Sequence, residues 1–251
     1  MYQKDTSIIQ RTNIQSDVLV VNQCDENRFE EFKFRNKNGE VCNARIFHTT
    51  ERGLSKSRNM AICHAKGDIC LICDDDEILN DNYVSTIIKT HETNLKASII
   101  VFQLYNRINN KRGPLQSKRF FWLLALRTAS VQITFKRKDL LRNNISFDET
   151  LGAGVSKAGG EENKFLFDSL KKGLILWTEP TYIGSLIPNS TSSWFCGYDK
   201  DYLIDRGKAS RKLLGVLGAI VYNCLWCFHN RNKLDYSFIK SFKYVFSGIV
   251  Q

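Results

Sequence analysis

Gly53 to Leu79 reads GLSKSRNMAICHAKGDICLICDDDEIL, and it places an apolar run of strand length directly before four adjacent acids. Ile69, Cys70, Leu71, Ile72 and Cys73 form the apolar run, and Asp74, Asp75, Asp76 and Glu77 follow it. Like charges side by side are costly unless solvent or a cation compensates. Hard divalent cations such as Mg²⁺ or Mn²⁺ favour carboxylate oxygens, and Mg²⁺ commonly binds through one or two carboxylates while substrate phosphates complete its shell. An acid cluster at the carboxyl end of a parallel strand is therefore a candidate metal and diphosphate site. The competing reading is a solvated loop that opens the next helix. Upstream, Gly53-Leu54-Ser55 reads as a turn with Ser55 as N-cap, Lys56 to Ala65 as a helix, and Gly67 as its C-terminal cap at positive φ.

The order loop, helix, Gly-Asp, strand, acids resembles the family-2 glycosyltransferases of the GT-A fold, of the bacterial surface-polysaccharide type. Their pattern is roughly G-x-S-x-A-R-N-x-A, a helix, G-D, a strand and D-x-D. Ser57 stands where Ala is usual, while Arg58, Asn59, Ala61, Gly67, Asp68, Asp74 and Asp76 match. The resemblance covers Asp17 to Ser193. It implies an α/β fold of GT-A type, with a Rossmann-like, mostly parallel sheet and helices on both faces. That domain takes residues 1–195, and a helical, basic and apolar C-terminal extension takes 196–251. The resemblance also implies Mg²⁺ or Mn²⁺ held by Asp74 and Asp76, and a nucleotide-sugar donor, expected to be a UDP-sugar, met by Asp25, Arg58, Asp74 and Asp75. Asp25 is the position that resembles the base-contacting acid, although its context, Asn22-Gln23-Cys24-Asp25, departs from the usual Asp-Asp-Gly-Ser.

A second stretch, GAGVSKAGGEENKFLFDSLKKGL from Gly152 to Leu174, opens a helix with Glu161-Glu162 directly after two glycines. Carboxylates in a first helical turn are favoured by the helix dipole, which is a purely structural reason for them. The stretch also resembles the family's second signature, a Glu-Asp pair that faces the acceptor sugar, with Phe165, Leu166 and Leu170 burying the helix behind it. The resemblance makes Glu162 the general base and Glu161 its acceptor-binding neighbour. Glu162 stands where Asp is usual, which moves the carboxylate by about 1.5 Å, one C–C bond. Because a misplacement of about 1 Å can cost roughly a hundredfold in rate, either the backbone compensates, or Glu161 takes the role, or activity is low.

The rest of the chain alternates strand and helix patterns. Asp17 to Asn22, Val41 to His48, Ile69 to Cys73, Ala97 to Tyr105 and Val131 to Lys136 read as strands. Asp81 to His91, Lys138 to Asn143 and Glu161 to Lys172 read as helices, and Leu174 to Trp177 begins an extended piece that runs to Ile187. In the resembled family a further strand precedes the one at Val18, and no apolar strand precedes Tyr2. The expectation is that Met1 is an internal methionine of a longer reading frame or that the chain is truncated. Strand-like in-frame sequence upstream supports this, and a stop codon immediately upstream sinks it.

The net charge of +10 is uneven, and between Arg107 and Arg142 the sole acid is Asp139. Such a field attracts nucleic acid, anionic lipid or a phosphorylated substrate, and no RNA- or DNA-binding signature accompanies it, so no nucleic-acid partner is expected. The eight cysteines form no disulfide framework. Cys63, Cys70 and Cys73 read as small hydrophobes. Cys224 and Cys227 make one C-x-x-C beside His229, without the second pair a zinc site wants. Leu213 to Phe228 is the longest apolar stretch, shorter than the ~18 to 20 residues that span a bilayer. With its basic flanks it reads equally as a helix lying on an anionic membrane or as a core or dimer helix. Ser190 to Trp194 offers an aromatic that could stack on a sugar ring or serve in an ordinary core. With no signal peptide, the expected place is the cytoplasm, peripheral at the inner face of the membrane if that helix lies on lipid.

Two functions of different class follow. One is a metal-dependent, inverting transfer of a sugar from a nucleotide-sugar donor to a polysaccharide or lipid-linked saccharide. The other is a non-catalytic relative that binds a sugar nucleotide or a partner. A nucleotidyltransferase fits less well, because it wants a Gly-rich basic N-terminal loop for the triphosphate.

Overall fold

Val-Leu-Val-Val-Asn-Gln forms strand β1 (Val18–Gln23), which runs parallel to β3 (Val41–Thr49) in register Val18↔Ala44 to Gln23↔Thr49. The computed structural model describes residues 2–105, 116–126, 128, 133–187, 195 and 197–251. It divides into two units: Met1–Arg52, Ser57–Ser146 and Asp168–Ser190 in the first, and Gly53–Lys56, Phe147–Phe167 and Thr191–Gln251 in the second.

In the first unit, β3 also pairs antiparallel with β2 (Arg28–Arg35). The sequence reading does not identify β2. Its charged and aromatic residues alternate, and Phe32 and Phe34 turn onto Ile8, Ile9 and Ala44 beneath the sheet. Ile8 and Ile9 belong to a short helix, α1 (Ile8–Arg11). Asn36 closes the hairpin, its Oδ1 accepting from the N–H groups of Asn38 and Glu40 at 3.0 Å each.

The larger sheet combines β4 (Ile69–Leu71), β5 (Glu77–Leu79), β6 (Ile99–Tyr105), β7 (Lys118–Arg119), β8 (Ile133–Lys136) and β9 (Leu176–Leu186) in the order β4-β8-β6-β9-β5, with β7 on β9. The α/β architecture matches the expectation, but strand direction departs from a mostly parallel sheet. Among the described residues only β1 with β3 and β6 with β9 pair in parallel, and the other pairings are antiparallel. The antiparallel β8 sits between β4 and β6, and hydrophobic periodicity carries no information about that reversal. Among the described residues strand β4 pairs with β8 alone, and Ile69, Cys70 and Leu71 are half-buried and not the buried run the sequence implies. The centre is β6, where Ile100, Phe102 and Leu104 pack with Leu79, Ile183 and, from helix α3 (Tyr83–Thr93), Tyr83 and Ile87. Pro180 lacks an N–H, and the register of β6 against β9 shifts beside it, between Val101↔Thr178 and Gln103↔Tyr182.

Helix α2 (Leu54–His64) begins one residue before Ser55, so Ser55 is not an N-cap, and its hydroxyl donates instead to Leu151 O at 2.7 Å. Gly67 is not at positive φ either. Cys63, on the outer face of α2, is exposed. Further along the chain come α4 (Trp122–Ala125), α5 (Arg137–Arg142) and α6 (Glu161–Lys171), after which Gly173 takes a positive φ as expected.

The second unit is built on α7 (Lys200–His229) and α8 (Phe238–Val250). Helix α7 is long and apolar enough to cross a membrane by length and composition, but its backbone leaves helical geometry at Gly215 (φ 69°, ψ 177°). The two arms, 200–214 and 216–229, lie side by side. Asn223 Nδ2 donates to Ser210 Oγ at 2.6 Å, and the Arg206 guanidinium sits 3.7 Å over the Trp226 ring. Twenty residues of straight helix would hold Arg206 and Trp226 about 30 Å apart. Tyr202, Leu203, Ala219, Cys227, Val245 and Ile249 form the core of this unit.

Candidate active site

The acid run is a tight turn between two strands of the first unit. Ile72 N–H still donates to Ile133 O, extending the β4 pairing, and Glu77 opens β5 opposite Leu186. Asp76 O accepts from Ile187 N–H at 2.8 Å, and Asp74 N–H donates to Glu77 Oε1 at 2.9 Å. These bonds turn Glu77 inward, where it has no exposed surface. Its other oxygen, Oε2, is buried without a hydrogen-bond partner among the described residues. Burial, and then the neighbouring Asp74 and Asp76, push the Glu77 carboxyl well above the usual carboxylate range, although the Asp74 amide partly opposes the shift. Burial likewise raises the Cys73 thiol beside it.

Oxygens of Asp74, Asp76 and Glu77 lie within 4.8 Å of one another. Oxygens opposite one another around Mg²⁺ at about 2.1 Å stand about 4.2 Å apart, so one cation could gather all three with a small inward rotation. An all-oxygen donor set that is half-buried or buried, with one carboxyl costly to ionise by itself, fits a hard divalent cation. The sequence reading placed Asp74 and Asp76 here, and Glu77 is the addition. Its signal was present in the acid run, but only the turn makes it point inward.

Helix α2 carries Arg58 to the same place. Its guanidinium is nearly buried and meets Asp74, with Nη2 at 3.1 Å from Oδ1 and 3.4 Å from Oδ2. Asp75 faces outward and accepts from Gln3 Nε2 at 2.9 Å. Asp25 follows β1 on the surface, with its side chain 81% exposed, paired to Arg52 at 2.7 Å and bonded to the Tyr2 hydroxyl at 3.2 Å. Two consecutive residues, Tyr2 and Gln3, thus touch Asp25 and Asp75 in turn.

The second unit presents Glu161 and Glu162 in the first turn of α6. Glu161 is only 3% exposed, whereas Glu162 is half-buried. Gly152 packs against Glu161 and Ser55: a Cβ there would stand 3.1 Å from both Glu161 Cδ and Ser55 Oγ, at a φ of +98° that side chains rarely adopt. The preceding loop is pinned at several points. Phe147 stacks on Phe165 at 4.4 Å, Lys212 pairs with Asp148 at 2.8 Å, and Lys157 bridges Asp199 and Asp201 at 2.8 and 3.0 Å. Phe165 and Leu166 are fully buried as expected, Phe167 joins them, and Leu170 is half-buried. Ser190 to Trp194 and Asn106 to Leu115 lie outside the described residues.

Residues 6–159 match the family described as Glycosyl transferase family 2. No curated protein matches the sequence. Among solved structures the fold is similar to that of S. aureus TarS 1–349, with a TM-score of 0.55 at 12% identity over 95% of this chain and 62% of that one. TarS 1–349 in complex with UDP-GlcNAc gives 0.58 at 13% identity over 92% and 67%. The mannosyltransferase PcManGT from Pyrobaculum calidifontis, in complex with GDP-Man and Mn²⁺, gives 0.51 at 13% identity over 98% and 71%. This chain therefore spans less than two thirds of the first of these structures, and at such identities the likeness concerns the fold.

Proposed function

The chain belongs to Glycosyl transferase family 2, and from that premise we propose that it moves a sugar from a nucleotide-sugar donor to a polysaccharide or lipid-linked saccharide, with inversion and with a divalent cation. The observation that carries the reading is the acid turn, in which oxygens of Asp74, Asp76 and the fully buried Glu77 converge to within 4.8 Å of one another. Those three residues would hold Mg²⁺ or Mn²⁺. When bound there, the cation supplies positive charge against the diphosphate.

The protein's own residues do the rest. Arg58 orients Asp74, and Asp75 and Asp25 meet the nucleotide from the surface of the same unit. Glu162, more accessible than Glu161, accepts the proton of the acceptor hydroxyl as that oxygen's electron pair bonds to the anomeric carbon. The bond from that carbon to the diphosphate oxygen breaks as the new bond forms. Glu161, buried against Gly152, fixes the turn and reaches the acceptor beside it. UDP-sugars are the first donors to try, and GDP-sugars the second, in keeping with the complexes of TarS and PcManGT.

The transfer domain is read as residues 1–195 and the extension as 196–251. On α7 the exposed stripe Leu217, Val221, Leu225 and Phe228 recurs at helical spacing, and Arg231 and Lys233 follow it. That pattern supports attachment to an anionic membrane surface, at the cytoplasmic face where a lipid-linked acceptor would be met.

The test is donor hydrolysis and transfer with Mn²⁺ across UDP-, GDP- and dTDP-sugars, comparing the wild type with Asp76→Ala and Glu162→Gln. Metal-dependent turnover lost in both variants establishes the reading. Donor binding without turnover by the wild type favours a non-catalytic, sugar-nucleotide-binding relative, and no binding of any donor overturns both.

A further inference from the structure

We infer that Cys24, Glu26 and His48 form a second metal site, for Zn²⁺, at the carboxyl end of β1. It stands apart from the acid turn in donor chemistry and does not depend on the transferase reading. Cys24 follows β1 directly, and its backbone is fixed by donation from its N–H to Thr49 O at 2.9 Å. His48 is the penultimate residue of β3, opposite Asn22 of β1 and Arg28 of β2. A thiol sulfur, a carboxylate oxygen of Glu26 and a ring nitrogen of His48 lie within 4.8 Å of one another.

The His48 ring holds the tautomer that can coordinate through Nδ1. Asn22 Oδ1 accepts from Gln3 N–H at 2.9 Å, and Asn22 Nδ2 donates to Gln3 O at 2.9 Å, so the orientation of the amide is fixed. The same Nδ2, a donor, faces His48 Nδ1 at 3.2 Å. Nδ1 therefore accepts from Asn22 through its single lone pair, which assigns the ring proton to Nε2, and an ion bound at Nδ1 takes that lone pair in place of the amide hydrogen. Nε2 is buried and makes no well-aligned hydrogen bond, and the group facing it is Glu30 Oε1 at 3.2 Å. Once Nε2–H turns onto it, Glu30 would be the carboxylate partner that orients the ring, as in histidine-ligated metal sites. Arg28 steadies both acids, with its guanidinium 3.3 Å from Glu26 Oε1 and also paired with Glu30.

Distance and donor type select the metal. Zn–S of about 2.3 Å and Zn–N of about 2.05 Å at the tetrahedral angle place sulfur and nitrogen about 3.6 Å apart. Cys24 Sγ and His48 Nδ1 are 3.7 Å apart. A thiolate and an imidazole suit Zn²⁺ and disfavour Mg²⁺, which prefers oxygen. On binding, the Cys24 proton leaves to solvent and sulfur coordinates as thiolate, and water completes four-coordination. A cavity of about 200 Å³ lined by Asn22, Arg28, Glu30 and His48 lies beside the site and gives the ion a way in. The bound ion ties the turn after β1, which carries Asp25, to the end of β3.

The test uses the full chain and Co²⁺ as a spectroscopic probe for Zn²⁺. The expected result is a thiolate-to-cobalt charge-transfer band in the near ultraviolet at one equivalent, abolished by stoichiometric Zn²⁺. Cys24→Ser and His48→Gln should each lose the band and weaken Zn²⁺ binding by about 100-fold, and Glu30→Gln should weaken it about 10-fold while keeping the band. Cys63→Ser, at an exposed thiol elsewhere, and Asp76→Asn, in the acid turn, should leave the band intact. Circular dichroism and melting of each variant verify that it is folded. Absence of the band in the wild type, or its survival in folded Cys24→Ser, overturns the assignment.

Discussion

The acid turn at Asp74–Glu77 and the acid pair at Glu161–Glu162 both set carboxylates side by side, one between two strands and the other at the start of a helix. In the strand turn, backbone bonds force Glu77 inward beside Asp74 and Asp76, and its carboxyl is driven up by burial and by those neighbours. At the start of α6 the free N–H groups of the first turn already favour negative charge. The first arrangement would gain from an added cation. The second has its compensation built into the backbone, so it holds Glu162 half-exposed without an added cation. On the proposed reading, identical residue types serve opposite purposes, and the surroundings decide which.

The sharpest way to break this contrast is to neutralise one acid in each place. Glu162→Gln is expected to reduce transfer about 10³-fold, within the range for removing a general base, while donor binding stays unchanged. Asp76→Asn should instead weaken Mn²⁺-dependent donor binding. Initial rates and donor titration by calorimetry separate the two. If Glu161→Gln abolishes transfer and Glu162→Gln leaves it intact, the roles within the pair are reversed.

Much of the fold around the acid turn was legible from Gly53 to Leu79 alone, because a helix, a Gly-Asp step, a strand and an acid run are local patterns. The strands β1, β3, β6 and β8 and the helices α3, α5 and α6 lie within a few residues of where periodicity puts them. What escaped depends on pairing at a distance. Nothing in Ile133–Lys136 says that it runs antiparallel between β4 and β6, and nothing in Ser55 says that its hydroxyl will be taken by Leu151 O and not by a helix end. Strand β2 was readable in principle, but its exposed residues are charged enough to mimic a loop. The inward turn of Glu77 and the meeting of Cys24 with His48 both depend on strand register, which sequence spacing does not encode.

His91 supplies a buried titratable group without acidic company, and so separates burial alone from burial among acids. Its Nε2 lies 2.9 Å from Thr134 Oγ1, whose hydroxyl donates to Ile100 O, so Nε2 carries the proton in a neutral ring. Burial, aided by Lys136, lowers its pKa to about 4. A folded value below the ordinary one of about 6.5 means that the neutral form supports the fold above that pH and the support is withdrawn as pH falls. About 3 kcal/mol should be lost between pH 6.5 and pH 4. Urea unfolding of wild type and His91→Gln across that range measures it, and the variant should show a flatter dependence. An equally steep loss in the variant would assign the effect to other groups.

Gly152→Ala probes the helix-borne pair from behind. The positive φ and the approach of Glu161 and Ser55 together should cost about 2 kcal/mol, or about 5 °C in Tm for a chain of this size. Gly173→Ala, at φ +79° with nothing within 4 Å of its Cβ, carries the backbone cost alone and should lose roughly half as much. Equal losses in the two variants would show that the packing of Gly152 on Glu161 contributes nothing.

The smallest effect tests whether Glu77 is part of the cation's surroundings or only a buried neighbour. Glu77→Gln keeps the shape and the acceptor for Asp74 N–H while removing the carboxyl that burial and two acids oppose. Without metal its Tm should equal or exceed that of the wild type, since an amide is cheaper to bury than a carboxylate. With saturating Mn²⁺ the wild type should gain stability by mass action, and a tenfold weaker affinity in the variant would cut that gain by about 1.4 kcal/mol. Melting with and without Mn²⁺ reads both arms. An unchanged gain in the variant would remove Glu77 from the cation's ligands and leave Asp74 and Asp76 to hold it, and the strand turn would then owe its inward acid to folding alone.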